Sequence, residues 1–246
     1  MIKLVVSDFD GTLLPYSDSF LSSEILSLIE EILNRGVRFA ISSGRNYSEL
    51  VSFFPNLADR IYFTCCDGAL TVKNSNIIYA RKIEKSDIEM FFRHKYEGFS
   101  FLLHGAFENY YYGNLPAHAK RFNATPVGNI FEIKDKIFKI TSYNDRLILP
   151  EYCGIRKHWE ENSNITQYVN RYCNKGTALS DLQVRLLLTK YDTVVLGDRG
   201  NDVCMVKGAK LSYCIGNRCD ELATICTERF DNSYDVLSNL ISLIRK

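Results

Sequence analysis

The feature that most constrains this chain is a pair of acidic residues directly after its first apolar run. Residues 4–6 (Leu-Val-Val) predict a buried parallel strand, and residues 8–12 (Asp-Phe-Asp-Gly-Thr) follow at its carboxyl end. Side chains two residues apart leave an extended segment on the same side, so Asp8 and Asp10 should point into one crevice. Two carboxylates in one place repel each other unless a cation or a proton lies between them. A cation site explains this arrangement, and a plain strand-end turn is the alternative.

The same order of strand and acid recurs near the other end of the chain. Residues 193–196 (Thr-Val-Val-Leu) predict another short buried strand, and residues 197–202 (Gly-Asp-Arg-Gly-Asn-Asp) follow it. The carboxyl ends of parallel strands meet at one edge of a sheet, where the ligands of open α/β sheets bind. A second acidic cluster at that edge suits Mg²⁺, which takes oxygen ligands. For Asn201 or Asp202 alone, capping of the following helix is the alternative interpretation.

Two further segments can bring hydrogen-bond donors and a cation to this edge. An apolar run at residues 37–41 leads to Ser43 and Gly44, a small hydroxyl and a residue that lets the backbone approach an oxyanion closely. Thr177 is predicted to cap a helix, and Lys175 would stand just before the positive end of that helix, a favourable place for an anion. An ordinary capped turn at Ser43 and a solvated loop lysine at Lys175 are the alternatives.

The alternation of strands and helices predicts the fold class, a doubly wound, mostly parallel, Rossmann-like α/β sheet. Ser22 or Ser23 can cap a first helix that ends at Gly36, and strand, helix and strand then form a β-α-β unit. The middle of the chain changes to aromatic-rich alternating runs, which suit the antiparallel strands of an inserted α+β module lying over the ligand-binding edge. The predicted boundaries are 1–82 and 173–246 for the core and 83–172 for the module.

The composition excludes several classes of function. Of 246 residues, Lys and Arg number 30 and Asp and Glu 29, a balance that offers no electrostatic footprint for nucleic acid or an anionic membrane. No run approaches the ~20 apolar residues of a membrane span, and Asp8 interrupts the first apolar run too early for a signal peptide. The eight cysteines include no C-x-x-C pair, so we expect reduced thiols, no zinc site and a cytoplasmic location.

Four of these segments together resemble, in the right order, the motifs of the haloacid dehalogenase (HAD) superfamily of phosphohydrolases. D-x-D-G-T at residues 8–12 is similar to motif I, S-G-R at 43–45 to motif II, K-G-x-A-L at 175–179 to motif III and G-D-x-x-N-D at 197–202 to motif IV. The resemblance covers both ends of the chain and indicates the Cof-like, sugar-phosphatase-like branch, whose insertion after motif II is a type IIB (C2) cap. Asp67 departs from that branch, which commonly has Asn before Gly-Ala, and its charge would repel a phosphate if it faced the pocket.

The resemblance implies a mechanism and a role for each matching residue. Asp8 attacks phosphorus to form an aspartyl phosphate, and Asp10 protonates the leaving group and then takes a proton from the attacking water. Mg²⁺ would neutralise charge on the phosphoryl oxygens. The implied phosphate-binding residues are Ser43, Gly44, Lys175 and Asn201. The implied metal ligands are Asp8, Asp10 through its main-chain carbonyl, Asp198 and Asp202, which would either bind the ion or orient its ligands.

We therefore expect a Mg²⁺-dependent phosphomonoester hydrolase whose partner is a small phosphorylated metabolite, in the first place a sugar phosphate. A phosphomutase uses the same motifs but returns the phosphoryl group to its substrate, and a non-catalytic protein that senses a phosphometabolite is the alternative from a different class. In the inserted module, His104, His118, Arg121 and Trp159 are candidates for the substrate face. Single side chains of these types are more often packing or surface residues, and none is assigned to the site.

Overall fold

A computed structural model of the protein describes residues 1–93, 100–114, 122–143, 154–159 and 165–244. Within these residues fourteen strands form two sheets, accompanied by seven α-helices. The strands are β1 (Leu4–Ser7), β2 (Arg38–Ser42), β3 (Tyr62–Cys65), β4 (Leu70–Lys73), β5 (Asn76–Ala80), β6 (Ser100–His104), β7 (Asn109–Tyr112), β8 (Thr125–Pro126), β9 (Lys139–Tyr143), β10 (Ile155–Trp159), β11 (Ile165–Asn170), β12 (Thr193–Gly197), β13 (Leu211–Ile215) and β14 (Glu228–Phe230). The helices are α1 (Ser23–Asn34), α2 (Tyr47–Val51), α3 (Lys85–Phe91), α4 (Lys175–Arg185), α5 (Val203–Val206), α6 (Asp220–Ile225) and α7 (Ser233–Leu243).

The first sheet confirms the predicted doubly wound α/β core. Its eight strands lie in the order β14-β13-β12-β1-β2-β3-β4-β5, and neighbouring strands are parallel from β14 to β3. The strands β4 and β5 complete the sheet as an antiparallel hairpin next to β3. Because β12, β1 and β2 are adjacent and run in the same direction, their carboxyl ends bring Asp198, Asp8 and Ser43 to one edge of the sheet.

Helices cover both faces of this sheet because its central strands are apolar on both sides. On one face Val5 packs in a cluster with Ile29 of α1 and Leu240 of α7, and all three are fully buried. On the other face Val6 packs in a cluster with Leu179 of α4. Successive residues of β1 therefore serve opposite layers, which holds the acidic segment after β1 rigidly at the sheet edge.

The beginnings of two helices test the predicted caps. Ser22 caps α1, as expected, and its side chain accepts a hydrogen bond from the Ile25 N–H (3.3 Å). The prediction that Thr177 caps α4 is wrong, because α4 begins at Lys175 and its N-cap is Asn174. The Asn174 side chain accepts from the Thr177 N–H (2.8 Å), and Thr177 Oγ1 accepts from the Asn174 N–H (3.0 Å), so the two form a capping box. Lys175 is consequently the first residue of the helix and not a loop residue.

The second sheet comes from the middle of the chain, where antiparallel strands are expected. Its six strands lie in the order β10-β11-β9-β6-β7-β8, and only the β7–β8 pair is parallel. An aromatic cluster that includes Phe91 of α3, Phe101 and Tyr168 packs on one face. The other face carries Lys139 and Gln167 and lies against the carboxyl edge of the first sheet. The limits of the inserted module, at residues 83 and 172, remain predictions.

The cysteines divide into buried and partly exposed groups. Those buried are Cys65, Cys66, Cys173 and Cys214, and those partly exposed are Cys204, Cys219 and Cys226, while Cys153 lies outside the described residues. Burial raises the pKa of the Cys66 thiol to about 12, so this side chain packs as a neutral group in the core. No helix in the described ranges combines the length and the apolar composition of a membrane span.

Two glycines with positive φ provide a matched test of how tightly the two halves of the core fit. A Cβ atom on Gly68 (φ +92°) would lie 2.3 Å from the carbonyl oxygen of Asn174, whereas one on Gly36 (φ +80°) would meet nothing within 4 Å. We expect Gly36→Ala to lower the free energy of unfolding by about 1–2 kcal/mol through backbone strain alone. Gly68→Ala should lower the free energy of unfolding by roughly 1–3 kcal/mol more than Gly36→Ala does, because its Cβ atom would clash with the backbone of Asn174. Urea unfolding measures both, and equal losses would contradict the close fit.

Candidate active site

A cavity of about 510 Å³ lies between the two sheets at the carboxyl edge of the first sheet. The residues of the predicted site that line it are Asp8, Asp10, Ser43, Gly44, Lys175 and Asn201. Asp198 and Asp202 are each only 1% exposed and lie next to Asp8. The second sheet and the segment before β8 contribute residues to the opposite wall, namely His104, Phe122, Lys139, Thr141, Tyr143, Ile165 and Gln167. His118, Arg121 and the side chain of Trp159 lie outside the described residues.

Lys175 holds the two acidic segments of the site together. Its buried Nζ lies 2.6 Å from Oδ1 of Asp8 and 2.7 Å from Oδ1 of Asp202. Burial alone would lower the pKa of the Lys175 ammonium, but Asp202 and Asp8 outweigh burial and hold that pKa above its ordinary value. Burial, followed by the charge of Asp202, raises the pKa of Asp8 well above its usual range, although Lys175 opposes both. The ammonium ion therefore favours the ionised form of Asp8.

Three carboxylates form a group that can hold a metal ion. One oxygen each of Asp8, Asp198 and Asp202 lies within 4.8 Å of the others. Oδ1 of Asp198 is buried, and no hydrogen-bond donor in the described part of the chain reaches it. Burial, followed by the charge of Asp202, raises the pKa of Asp198, as expected where negative charges gather. An oxygen-rich, negatively charged group with an unpaired buried oxygen fits a hard divalent cation.

Asp202 occupies both of its carboxylate oxygens with protein donors. Oδ1 pairs with Lys175, and Oδ2 accepts hydrogen bonds from the backbone N–H groups of Asp198 (3.0 Å) and Arg199 (3.1 Å). These contacts fix the loop after β12 against the first residue of α4. Of the two roles implied for Asp202, orienting its neighbours fits this geometry better than direct ligation.

The side chain of Asp10 turns away from the metal-binding group and pairs with Arg45. Arg45 Nε donates to Oδ2 of Asp10 (2.9 Å), and one terminal nitrogen donates to Oδ1 (2.6 Å). The guanidinium group stacks near the rings of Phe9 and Phe53, at 5.3 and 5.2 Å from their centroids. The backbone N–H of Arg45 also donates to Oγ of Ser43 (3.1 Å). Arg45 thus connects the segment after β1 to the segment after β2 on the cavity wall.

Tyr16, which the sequence does not single out, reaches the metal-binding group from the other side. Its hydroxyl lies 2.9 Å from the main-chain oxygen of Asp10 and 3.1 Å from Oδ2 of Asp198. The ring is covered by the guanidinium groups of Arg199 and Arg218, which lie 4.6 and 4.2 Å from its centroid. Burial and then Asp198 raise the pKa of the Tyr16 hydroxyl, so it remains a proton donor. No local motif marks this residue, because its partners other than Asp10 lie far away in the sequence, Asp198 by 182 residues.

Asp67 faces the cavity, which is the arrangement in which its charge would repel a phosphate. The structure places a cation beside it. Nζ of Lys139, on β9 of the second sheet, lies 2.9 Å from Oδ2 of Asp67 and 2.8 Å from the main-chain oxygen of Gly44. Lys139 is absent from the predicted site, since nothing in the sequence near it indicates a partner 72 residues away.

Of the four candidates for the substrate face of the inserted module, only His104 has a side chain within the described residues. Its Nε2 lies 3.0 Å from Oγ1 of Thr141, and the residue lines the cavity. Burial, and then the charge of Lys139, lowers the pKa of His104 to about 3. His104 therefore presents a neutral imidazole to the cavity at physiological pH.

The doubly wound core and this acidic site define a phosphohydrolase of the α/β class. Residues 5–236 match the model of the haloacid dehalogenase-like hydrolase family, and the chain belongs to that family. This finding confirms the resemblance that the four motifs indicate. It also confirms the expected enzyme class, an HAD-type phosphatase.

Two relatives and one solved structure are similar along almost the whole chain. The Escherichia coli (strain K12) 5-amino-6-(5-phospho-D-ribitylamino)uracil phosphatase YbjI is 25% identical over 232 residues, covering 88% of this chain and 86% of its own. The Bacillus subtilis (strain 168) phosphatase YcsE, named for the same substrate, is 26% identical over 225 residues, covering 89% and 86%. The structure of BT4131, described as an HAD subclass IIB sugar phosphatase, superimposes with a TM-score of 0.79 at 15% identity, covering 97% and 98%. This last likeness shows a shared fold over both sheets.

Tyr16 should compete with a metal ion for ligand oxygens. Its hydroxyl lies within hydrogen-bond distance of oxygens of Asp10 and Asp198 that could bind a metal ion, and a lone pair that accepts the hydroxyl proton is not available to a cation. We therefore expect Tyr16→Phe to bind Mg²⁺ about 3- to 10-fold more tightly than the wild type, a gain of roughly one hydrogen bond. Calorimetric titration of the metal-free protein measures this. Weaker binding in Tyr16→Phe would instead mean that the hydroxyl supports the ligands.

His104 should make the fold less stable in mild acid. The unfolded chain binds a proton at His104 below about pH 6.5, whereas the native protein does so only near pH 3, so stability falls as pH drops between these values. From pH 7 to pH 5 this effect amounts to about 2 kcal/mol. We expect His104→Gln to lose correspondingly less free energy of unfolding over that interval, measured by urea unfolding. An identical pH dependence in both proteins would contradict the assignment of a neutral, buried His104.

Proposed function

We propose that the protein is a Mg²⁺-dependent phosphomonoester hydrolase that acts on a small phosphorylated metabolite, in the first place a sugar phosphate, through an aspartyl-phosphate intermediate. The observation that carries this proposal is the buried Asp8–Lys175–Asp202 group on the floor of a cavity between two sheets. It places a carboxylate, an ammonium ion and a metal-binding group within one site, and these are the groups that phosphoryl transfer requires.

Asp8 is the proposed nucleophile. Lys175 holds Oδ1, and the hydroxyl of Thr12 donates to Oδ2 (3.3 Å), so the orientation of the carboxylate is set from both sides. Attack by Asp8 on phosphorus forms an acyl phosphate and expels the substrate's alkoxide. Water then attacks the same phosphorus and releases phosphate and the free carboxylate, so that one difficult displacement becomes two easier ones.

Asp8, Asp198 and the main-chain oxygen of Asp10 would hold the metal ion, with Asp202 orienting them. A hard cation such as Mg²⁺ bound there would neutralise the charge on the phosphoryl oxygens. Lys175 alone does not neutralise the phosphoryl oxygens, because its single positive charge is already shared between two carboxylates. The raised pKa values of Asp8 and Asp198 support a site that takes up a further positive charge.

Asp10 is the proposed general acid and base. A carboxyl group must carry a proton when the alkoxide leaves and must be ionised when it takes a proton from water. The bidentate contact with Arg45 suits a carboxylate, which is the form that the second half of the reaction requires.

Ser43, Gly44, Lys175 and Asn201 are the proposed contacts of the phosphoryl oxygens. Ser43 is buried, and its backbone N–H is already used by the carbonyl oxygen of Thr64 (2.9 Å). Its hydroxyl accepts the N–H of Arg45, which leaves the hydroxyl proton to be donated to a phosphoryl oxygen. The side chain, rather than the backbone, of Ser43 is thus the donor to the substrate.

We propose further that the second sheet, within residues 83–172, is the cap that selects the leaving group. A cavity of about 510 Å³ accommodates a small metabolite. The wall from this sheet offers polar groups at His104, Thr141 and Gln167, which suit the hydroxyl groups of a sugar or polyol. The names of two relatives, each a phosphatase of a phosphorylated ribityl compound, support a substrate of this kind.

The decisive test is phosphate release with Mg²⁺ from a panel of sugar phosphates, polyol phosphates, nucleotides and an aryl phosphate. We expect turnover by the wild type, its loss on removal of metal by a chelator, and its return with Mg²⁺. Asp8→Asn keeps the shape of the side chain but not its nucleophilic charge, and should lower turnover by about 10³-fold or more. Asp181→Asn, at an ion pair with Arg185 on the exposed side of α4, is the matched control and should have no effect.

The outcome separates the competing functions. Formation of an isomeric phosphate ester without free phosphate would identify a mutase. Binding of a phosphorylated ligand without turnover, in folded and metal-loaded protein, would identify a non-catalytic sensor. Unchanged turnover in Asp8→Asn would contradict the proposed nucleophile.

A further inference from the structure

The residue that departs from the family pattern is joined to the second sheet by a buried ion pair. Asp67 lies between β3 and β4 with φ +55°, a conformation that Asp and Asn tolerate better than most residues. The side chains of Asp67 and Lys139 are only 9% and 4% exposed, and Nζ of Lys139 lies 2.9 Å from Oδ2 of Asp67. Both residues line the same cavity as Asp8 and Lys175.

This ion pair is directly connected to the segment that is expected to hold phosphate. Lys139 also donates to the main-chain oxygen of Gly44 (2.8 Å), and the backbone N–H of Asp67 donates to the main-chain oxygen of Ser43 (3.1 Å). The fit around Gly44 is tight, because a Cβ atom there would lie 3.1 Å from Oδ1 of Asp67 and 3.3 Å from Nζ of Lys139. Asp67 and Lys139 therefore both pack directly against the Ser43–Gly44 segment and are hydrogen-bonded to it.

We propose that Lys139 is a positioning residue for the phosphoryl site, and that it neutralises Asp67 so that a phosphate can bind beside this carboxylate. The proposal rests on the proposed function and adds to it a requirement that the second sheet must meet. A carboxylate that is itself nearly buried repels a phosphate dianion more strongly than a fully hydrated one does. With the ammonium ion next to it, the pair has no net charge, and the repulsion largely disappears.

The ion pair joins residues of two different sheets. Asp67, Ser43 and Gly44 belong to the first sheet and its loops, whereas Lys139 belongs to β9 of the second sheet. The phosphoryl site is therefore electrostatically complete only when the second sheet lies in the observed position. Binding of a phosphate and seating of the second sheet should consequently favour each other, since each depends on the same ammonium ion.

Opposite single substitutions test this proposal, with inorganic phosphate as the probe. Calorimetric titration of the Mg²⁺-loaded protein should show about 10- to 100-fold weaker phosphate binding in Lys139→Met, because the positive charge of Lys139 no longer offsets the charge of Asp67. Asp67→Asn should bind phosphate as tightly as the wild type or several-fold more tightly, because the ammonium ion of Lys139 can then interact with the phosphate. The double variant Asp67→Asn/Lys139→Met removes both charges and should regain most of the affinity lost in Lys139→Met. Lys136→Met, at an exposed position three residues earlier, is the matched control.

The sign of the change distinguishes this role from a purely structural one. Loss of an ion pair that only stabilised the fold would weaken binding in both single variants, and the double variant would not recover. That result, or equal affinities in all variants, would overturn the proposal. If Lys139→Met does not fold, Asp67→Asn decides alone, since weaker phosphate binding in this variant contradicts the proposal. Phosphate binding needs no turnover, so absence of hydrolysis in the wild type would refute the proposed function without obscuring this test.

Discussion

The buried ammonium ion of Lys175, held between the carboxylates of Asp8 and Asp202, is the interaction on which the rest of the site depends. Three acidic side chains cannot remain ionised together in a buried place without positive charge, and the pKa values of Asp8 and Asp198 are already raised with one cation present. The interaction joins the first strand to the last third of the chain, since Lys175 lies 167 residues from Asp8. It also depends on the exact start of α4, because the Asn174–Thr177 capping box sets Lys175 as the first helical residue.

The residues of this arrangement that the sequence predicts most directly are those that follow their own strands. Asp8, Ser43 and Asp198 stand directly after short apolar runs, and the parallel order of β12, β1 and β2 brings such positions together without further information. The same reasoning fails where the partner is remote in sequence. Tyr16 and Lys139 carry no motif of their own and acquire their importance only from groups that the fold brings to them. The short edge strand β14 was likewise not predicted, since three residues show no alternation that can be recognised.

The two sheets divide the chemistry between them. The first sheet supplies the charged groups, and its rigidity follows from helices packed on both faces of strands such as β1. The second sheet supplies a wall on which neutral groups such as His104 and Thr141 lie beside the ammonium ion of Lys139. The ammonium ion of Lys139 offsets the negative charge of Asp67, the residue that departs from the family pattern. The same ion pair joins the two sheets. Under the proposed function, selection of the leaving group and completion of the phosphoryl site would both depend on the same strands.

The measurement that tests the central claim most directly is capture of the phosphorylated enzyme. A substrate with a radiolabelled phosphoryl group is mixed with the Asp10→Asn variant, in which hydrolysis of the intermediate should be slowed, and the reaction is stopped with acid. The proposed mechanism predicts a label that is stable in acid, is released by hydroxylamine as acyl phosphates are, and lies on the peptide that contains Asp8. Turnover by the wild type with no label on the protein, or with the label on another residue, would contradict it.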